Sequence, residues 1–257
     1  MYFKSSRIAS FLHALVVAST VTLMTAEVWA SPDKPLTPLE KKQIQSLIEQ
    51  YILDHPEVIL ETLQRHQIKG ENVEKEQSRE QVKNLRPQLV LDPETPVGGN
   101  TKGDVTIVEF VDYRCGYCKR AHSVVKKIIR DDSAIRYVVK DFPILGPQSV
   151  IASRAALAVW RTTPEKHEAY HDEMMSIRGS LDEQRVIATA EKLGIDKKLL
   201  KKAMADKAID AVLAKNFKLA EALNINGTPA FVIGDQLVPG AVDLATLKKL
   251  VAKARKN

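Results

Sequence analysis

The chain's two cysteines, Cys115 and Cys118, stand in the stretch "RCGYC" with only Gly116 and Tyr117 between them. Sulfur at this spacing suits three chemistries: a structural disulfide, part of a metal site, or a redox pair. Two cysteines placed at random would fall three apart about once in a hundred, so the spacing is itself a signal. As a cross-link the pair would close a very short loop, for which chain entropy gives about 2 kcal/mol, against roughly 5 kcal/mol for a bridge spanning the whole downstream domain. A zinc site would need a second pair, and His122 is the only nearby histidine, so four ligands cannot be assembled locally.

Redox exchange requires an ionised sulfur. A helix beginning near Cys115 would set unpaired backbone N–H groups and a helix dipole beneath it, and Arg114, Lys119, Arg120 and His122 bring positive charge close by. Both effects pull the thiol below its ordinary pKa of ~8.5. A stabilised thiolate favours the reduced pair over the disulfide, which makes the disulfide form an oxidant. Cys115 is then the attacking thiolate, open to water, and Cys118, one turn into the helix, the more buried resolving thiol.

The elements that would hold this pair are legible from periodicity. "VTIVEFVDY" (105–113) is a β-branched and aromatic run that reads as a buried strand. It delivers Cys115 to a helix with Val124, Val125, Ile128 and Ile129 on one side, and "IRYVVKDFPI" (135–144) is the next strand. Strand, helix, strand is a βαβ unit with parallel pairing. From 148 to 223 the pattern is helical, about five helices, with a capping box from Ser180 to Glu183, a stop at Gly194, and caps at Asp196 and Asp206. "PAFVIGDQLVPG" then reads as a hairpin turning at Gly234-Asp235, and Asp243 caps a last helix.

Upstream, Lys4 and Arg7 precede a mostly apolar run and small residues lead to Ala30, the pattern of a cleaved secretory signal peptide over residues 1–30. Residues 31–68 read as two short helices, one beginning at "TPLE", where Thr37 caps and Glu40 completes a capping box, the other at "DHPE". Residues 69–91, including "KGENVEKEQSREQVKNLR", are almost wholly polar and read as a linker helix. Two helices of about thirty residues cannot bury enough surface alone, so they need a partner, either the main domain or, as the polar spacer suggests, a second copy meeting them through residues 38–68. Lysines alternate with acids in segments such as "GIDKKLLKKAMADK", and aromatics are 5% of the chain, which argues against nucleic-acid binding.

"FVDYRCGYCKRAH", followed far downstream by "GTPAFVIG", resembles the thioredoxin-fold DsbA family of thiol-disulfide oxidoreductases. "IEQYILDHPEVILETLQ" ahead of it is similar to the ScsC-like branch, which carries an added N-terminal oligomerisation segment. The resemblance spans nearly all of the mature chain. It implies an α/β thioredoxin-like fold over residues 92–257, with a helical insertion at about 148–223, preceded by a small N-terminal helical segment. It implies that Thr228 and a cis Pro229 hold the client backbone beside the sulfurs. Glu109, which on its own reads as a glutamate on an exposed strand face, becomes the buried acid relaying a proton for Cys118. Gly116-Tyr117, the redox-tuning pair, departs from the Pro-His of the best-known oxidants and lacks their histidine, while His122 reads as a surface residue. The implied protein is periplasmic, exchanges disulfides with cysteine-containing clients, and uses no cofactor beyond the Cys115–Cys118 disulfide and no metal. A membrane redox partner of the DsbB or DsbD type resets it. The alternative, from the same ScsC likeness, is a non-enzymatic copper-binding or holdase chaperone protein.

Overall fold

The computed structural model describes residues 35–256, so the expected signal peptide lies outside the described residues. The chain divides into two units with the break after Glu61.

In the first unit, α1 (Pro38–Asp54) begins with the reciprocal cap read from "TPLE": Glu40 N donates to Thr37 Oγ1 at 3.3 Å and Thr37 N donates to Glu40 Oε2 at 2.7 Å. No side chain of α1 is buried; Leu47 is 70% exposed and Leu53 73%.

The stretch expected as a separate polar linker helix at 69–91 is continuous with the helix before it, since α2 runs unbroken from Glu57 to Val90. Its last turns are part of the second unit's core. Val82 and Leu89, each 1% exposed, pack with Val108, Phe110 and Val138, and Leu85 lies against the same cluster. Val82, Leu85 and Leu89 fall at i, i+3, i+7, a stripe that the surrounding charges mask in composition but that a helix gathers onto one face.

The second unit is built on five strands: β1 (Val97–Gly99), β2 (Val105–Val111), β3 (Ile135–Asp141), β4 (Ala230–Ile233) and β5 (Gln236–Pro239). They lie in the order β1-β3-β2-β4-β5. β2 and β3 are parallel, joined by α3 (Gly116–Asp131) as the βαβ reading requires, and the other pairings are antiparallel. β1 is absent from the sequence reading because three residues, two of them glycine, carry no periodicity. Gly99 is needed there: its φ is +65°, and a Cβ would stand 2.6 Å from the Ile135 carbonyl oxygen. The hairpin turn falls at Gly234-Asp235, with Gly234 at φ +62°.

Five α-helices separate β3 from β4: α4 (Pro147–Thr162), α5 (His167–Ser176), α6 (Glu183–Lys192), α7 (Lys197–Met204) and α8 (Lys207–Ala222). α9 (Leu244–Ala254) closes the chain. Asp196, Asp206 and Asp243 cap α7, α8 and α9 as expected. The cap of α6 is Asp182 rather than Ser180: Asp182 Oδ1 accepts from Arg185 N at 2.9 Å, while the Ser180 hydroxyl donates to the other oxygen of that carboxylate. Two good capping residues stand two apart, and the carboxylate takes the helix end.

β2 is covered on both faces. Ile107 and Val111 meet α3, α9 and the helical insertion, while Val108 and Phe110 meet the end of α2 and part of α8. Every side chain of β2 except Thr106 is buried, and the parity of the strand puts Glu109 on the α3 side.

If the end of α2 belongs to this core, Leu89→Ala lowers stability in urea unfolding by about 2–5 kcal/mol. Leu91→Ala, at a position 72% exposed, changes it by less than about 0.5 kcal/mol. Equal small effects would make the end of α2 a spacer after all.

Candidate functional site

The loop after β2 is held by one buried carboxylate. Asp112 Oδ1 accepts from Arg114 N at 2.8 Å, and Oδ2 accepts from Ile144 N at 2.9 Å and Leu145 N at 3.0 Å. The Asp112 carbonyl accepts from Cys115 N at 3.0 Å. These bonds tie the ends of β2 and β3 together and set Cys115 at the N-cap of α3, extended at φ −71°, ψ 117°. Cys118 follows one turn in, fully buried.

The Thr228–Pro229 peptide is cis and closes over the first sulfur, whose thiol donates to the Thr228 carbonyl at 3.2 Å. That loop explains a departure from expectation: Cys115 is only 7% exposed, so its sulfur meets solvent at an edge rather than standing open. The order is nonetheless the one expected, the first cysteine more accessible than the second.

The pair is electrostatically split. Cys115 is held down to about 5, first by a hydrogen bond from the Cys118 thiol, then, against the opposing effect of burial, by the Thr228 side chain and the backbone N–H groups of Cys118 and Tyr117. Cys118 moves far upward, because its proton serves the neighbouring thiolate and because it is buried. The helix N-terminus therefore acts as anticipated, with the partner thiol adding the largest share. Gly116 and Tyr117 contribute through backbone; the Tyr117 ring is 62% exposed and faces the Arg120 guanidinium at 4.2 Å.

Glu109 is 1% exposed, which corrects the exposed-face reading: β2 is a central strand covered on both sides, so it has no solvent face. Burial pushes its carboxyl up to about 8, only partly offset by the Tyr137 hydroxyl, which donates to Oε2 at 2.6 Å. Its charge and those of both cysteines are coupled, the negative form of each raising the proton affinity of another. Tyr137 itself went unremarked in the sequence. The parallel register pairs it with Ile107, the same face as Glu109, and only that register reveals the contact.

His122 is likewise not a surface residue. It is 9% exposed, with Nε2 2.9 Å from Asp172 Oδ1 and its ring 5.0 Å from that of His171. His171 Nδ1 is 2.8 Å from the Tyr113 hydroxyl, and His167 stacks alongside at 6.0 Å. Burial drives His167 down to about 4 and His171 well below its ordinary value, so these two rings are neutral at pH 7 and lend the thiolate no charge. α5 carries His167 and His171 more than forty residues beyond His122, out of reach of a linear motif. Among the described residues no three His, Cys, Asp or Glu side chains are placed to share a metal ion.

The model of a DSBA-like thioredoxin domain matches residues 106–252. The structure is similar to that of a thioredoxin-like oxidoreductase from Silicibacter pomeroyi DSS-3, with 42% identity and a TM-score of 0.64, covering 67% of this chain and 98% of that one. It is also similar to Proteus mirabilis ScsC in a transitional conformation, with 28% identity and a TM-score of 0.64, covering 86% of this chain and 99% of the other. Among curated relatives, the Na(+)/H(+) antiporter NhaA 1 of Salinispora arenicola is 27% identical over 173 residues. The chain spans 25% of that antiporter's length, and the match takes in 64% of this chain.

Two measurements test the electrostatics. Alkylation of the reduced protein by iodoacetamide is expected at Cys115 alone, with a rate that titrates near pH 5 and not near the ordinary ~8.5; a midpoint above pH 8 would refute a stabilised thiolate. Glu109 is neutral when folded up to about pH 8 but ionises at ordinary carboxylate pH when unfolded, so the wild type, beside the opposite slope from the depressed Cys115, carries a Glu109 contribution that falls as pH rises across that window. Glu109→Gln does not, and its stability gain in urea unfolding should grow from pH 4 to pH 8; a gain independent of pH would contradict the buried neutral acid.

Proposed function

Because the chain belongs to the DsbA-like thioredoxin-domain family, we propose that it is a periplasmic thiol-disulfide oxidoreductase that forms or isomerises disulfides in secreted client proteins. The observation that carries this reading is the split pair: an ionised Cys115 at the start of α3 against a buried, protonated Cys118. An inert staple has no use for so large a difference between neighbouring sulfurs, whereas exchange depends on it.

In the oxidising direction a client thiolate attacks Cys115 Sγ, the Cys115–Cys118 bond breaks, and Cys118 leaves and takes up a proton, for which the neutral Glu109 is the nearby source. A second client thiolate attacks the client sulfur of the mixed disulfide and Cys115 departs as a thiolate. Two electrons pass from the client to the pair, one proton comes to rest on Cys118, and the client holds a new disulfide. Cys115 is the favoured leaving group because low-pKa thiols leave fastest. In the isomerising direction the Cys115 thiolate attacks a client disulfide, the freed client thiolate attacks another client disulfide, the thiolate displaced there attacks the client sulfur of the mixed disulfide, and Cys115 departs as a thiolate, unchanged in oxidation state. Thr228 and Pro229 align the client backbone over the sulfur. The electrons move between sulfurs, so the exchange calls for no cofactor beyond the Cys115–Cys118 disulfide, and a membrane protein of the DsbB or DsbD type resets it.

Self-association through residues 38–68 fits this reading. Ile44, Leu47, Ile48, Leu60 and Leu63 of that segment are all exposed in the single chain, and a helical pair of that length cannot bury a core by itself. Several active sites on one oligomer would favour reshuffling over simple donation.

Cys118→Ala is expected to accumulate mixed disulfides with clients on non-reducing gels and Cys115→Ala none; absence of adducts from both would rule out the exchange mechanism. With catalytic amounts of protein, reduction of insulin by dithiothreitol should turn over many times, as a stoichiometric binder would not. Solution mass should be a multiple of the chain mass for residues 31–257 and fall to that of one chain when residues 31–68 are removed. A monomer in both cases would end the oligomer reading.

A further inference from the structure

A cleft of about 910 Å³ opens beside Cys115, between the first turns of α3 and the end of α5, with Gly116 on its rim. Five cations line it: Arg114, Lys119, Arg120, Lys126 and Arg178. Asp172 is the one acidic side chain among the described residues that line it, and it is already engaged by His122 and Lys126. The formal balance in this one place is +4, when the whole chain of 257 residues carries +6. Four of the five cations lie between 114 and 126 in the sequence, and folding adds Arg178, which returns to Arg114 and Lys119 across the helical insertion.

Lys126 is paired with Asp172, and the other four cations are not neutralised by a carboxylate among the described residues. The Arg114 guanidinium donates to the Leu145 carbonyl at 2.6 Å and the Lys119 ammonium to the Ile177 carbonyl, both uncharged partners. The Arg120 guanidinium lies over the Tyr117 ring. Among the described residues, Arg114, Lys119, Arg120 and Arg178 form no ion pair with a carboxylate. Lys119 is half-buried; burial first, and then the charges of Arg114 and Arg178, weaken its hold on its proton, opposed by Asp112 and by Cys115. Like charges gathered in a concave, partly desolvated place repel one another and focus a positive potential outward. An anion entering the cleft would relieve that repulsion.

Building on the exchange reading above, we propose that this cleft is a specificity surface, which docks an extended client segment carrying Asp or Glu a few residues from the cysteine being exchanged. At about 3.3 Å per residue an extended chain with its sulfur at Cys115 brings side chains two to four positions away over the cleft. The occupant is a peptide rather than a membrane or a nucleic acid. A bilayer is flat and cannot enter a concavity, and Tyr117 alone gives no run of aromatic platforms for successive bases.

The test uses the full reduced protein and two ten-residue peptides, each with one cysteine in mixed disulfide with an aromatic thiol, differing only in three flanking residues, Glu in one and Lys in the other. The second-order rate of thiol release should favour the acidic peptide by roughly tenfold or more at 20 mM salt, and the ratio should fall towards one at 500 mM salt, where charges are screened within about 4 Å. Arg120→Glu combined with Arg178→Glu, which brings the cleft's formal balance to zero, should bring the ratio towards one, while Lys198→Glu combined with Lys218→Glu, which changes the net charge equally but outside the cleft, should leave it as it was. Thermal unfolding checks that both variants are folded. Equal rates for the two peptides at low salt would overturn the proposal, as would a preference that survives the cleft variant. So would competition by single-stranded DNA as effective as that by an acidic peptide lacking cysteine. Exchange with the lysine peptide alone would sink the docking surface and spare the oxidoreductase reading; failure with both peptides would sink that reading too.

Discussion

Ionisation of one sulfur is the constraint around which the second unit is arranged. A thiolate at 7% exposure has lost most of its water and must be solvated by the protein instead. Three groups do this from below: the Cys118 thiol, and the N–H groups of Tyr117 and Cys118, which are free because the first residues of a helix have no intrahelical acceptor. Each depends on α3 beginning at Gly116 and nowhere else. Asp112 enforces that start by holding the preceding loop with one oxygen and the β3–α4 connection with the other, so the sulfur's position is fixed by the ends of two strands.

The same geometry separates the two thiols in role. Cys118 gives its hydrogen bond to Cys115 and is enclosed by the core, so its proton is hard to remove. Beneath it lies a carboxyl that is itself neutral at pH 7, placed there by the alternation of β2 and steadied by Tyr137 from the adjacent parallel strand. A neutral acid near a sulfur that must gain and lose a proton is a natural donor and acceptor. An exposed glutamate with an ordinary carboxylate pKa would be ionised throughout the neutral range and could only accept. Burial, ordinarily a penalty for a carboxylate, is here what makes Glu109 useful.

Much of this was legible in the sequence because the governing signals are local. Cys-x-x-Cys, the strand before it, the caps at Thr37, Asp196, Asp206 and Asp243, and the hairpin at Gly234-Asp235 each lie within a few residues of one another. What escaped depends on contacts over long separations. Glu109 looked half-exposed because a single strand does not announce its coverage on both faces. His122 looked superficial because its partners, His171 and Asp172, arrive on α5. The stripe of Val82, Leu85 and Leu89 was hidden by its charged neighbours, and the place of Arg178 beside Arg114, Lys119 and Arg120 by the elements that separate them in the chain. The spacing from Ser180 to Glu183 fits a capping box, and Asp182, which takes the helix end, was not read because only the backbone decides between neighbouring caps.

The sheet's margins bear on the company such a protein would keep. Its outer strands are β1, three residues with two glycines, and β5, four residues ending in Pro239. Short margins of this kind offer few unpaired backbone groups to another chain. A molecule that handles polypeptides before their folding is complete meets exposed strand-forming segments constantly, and a long bare edge would recruit them into mixed sheets. Trimmed edges let it engage such chains through sulfur and side chains while its own backbone stays closed to aggregation.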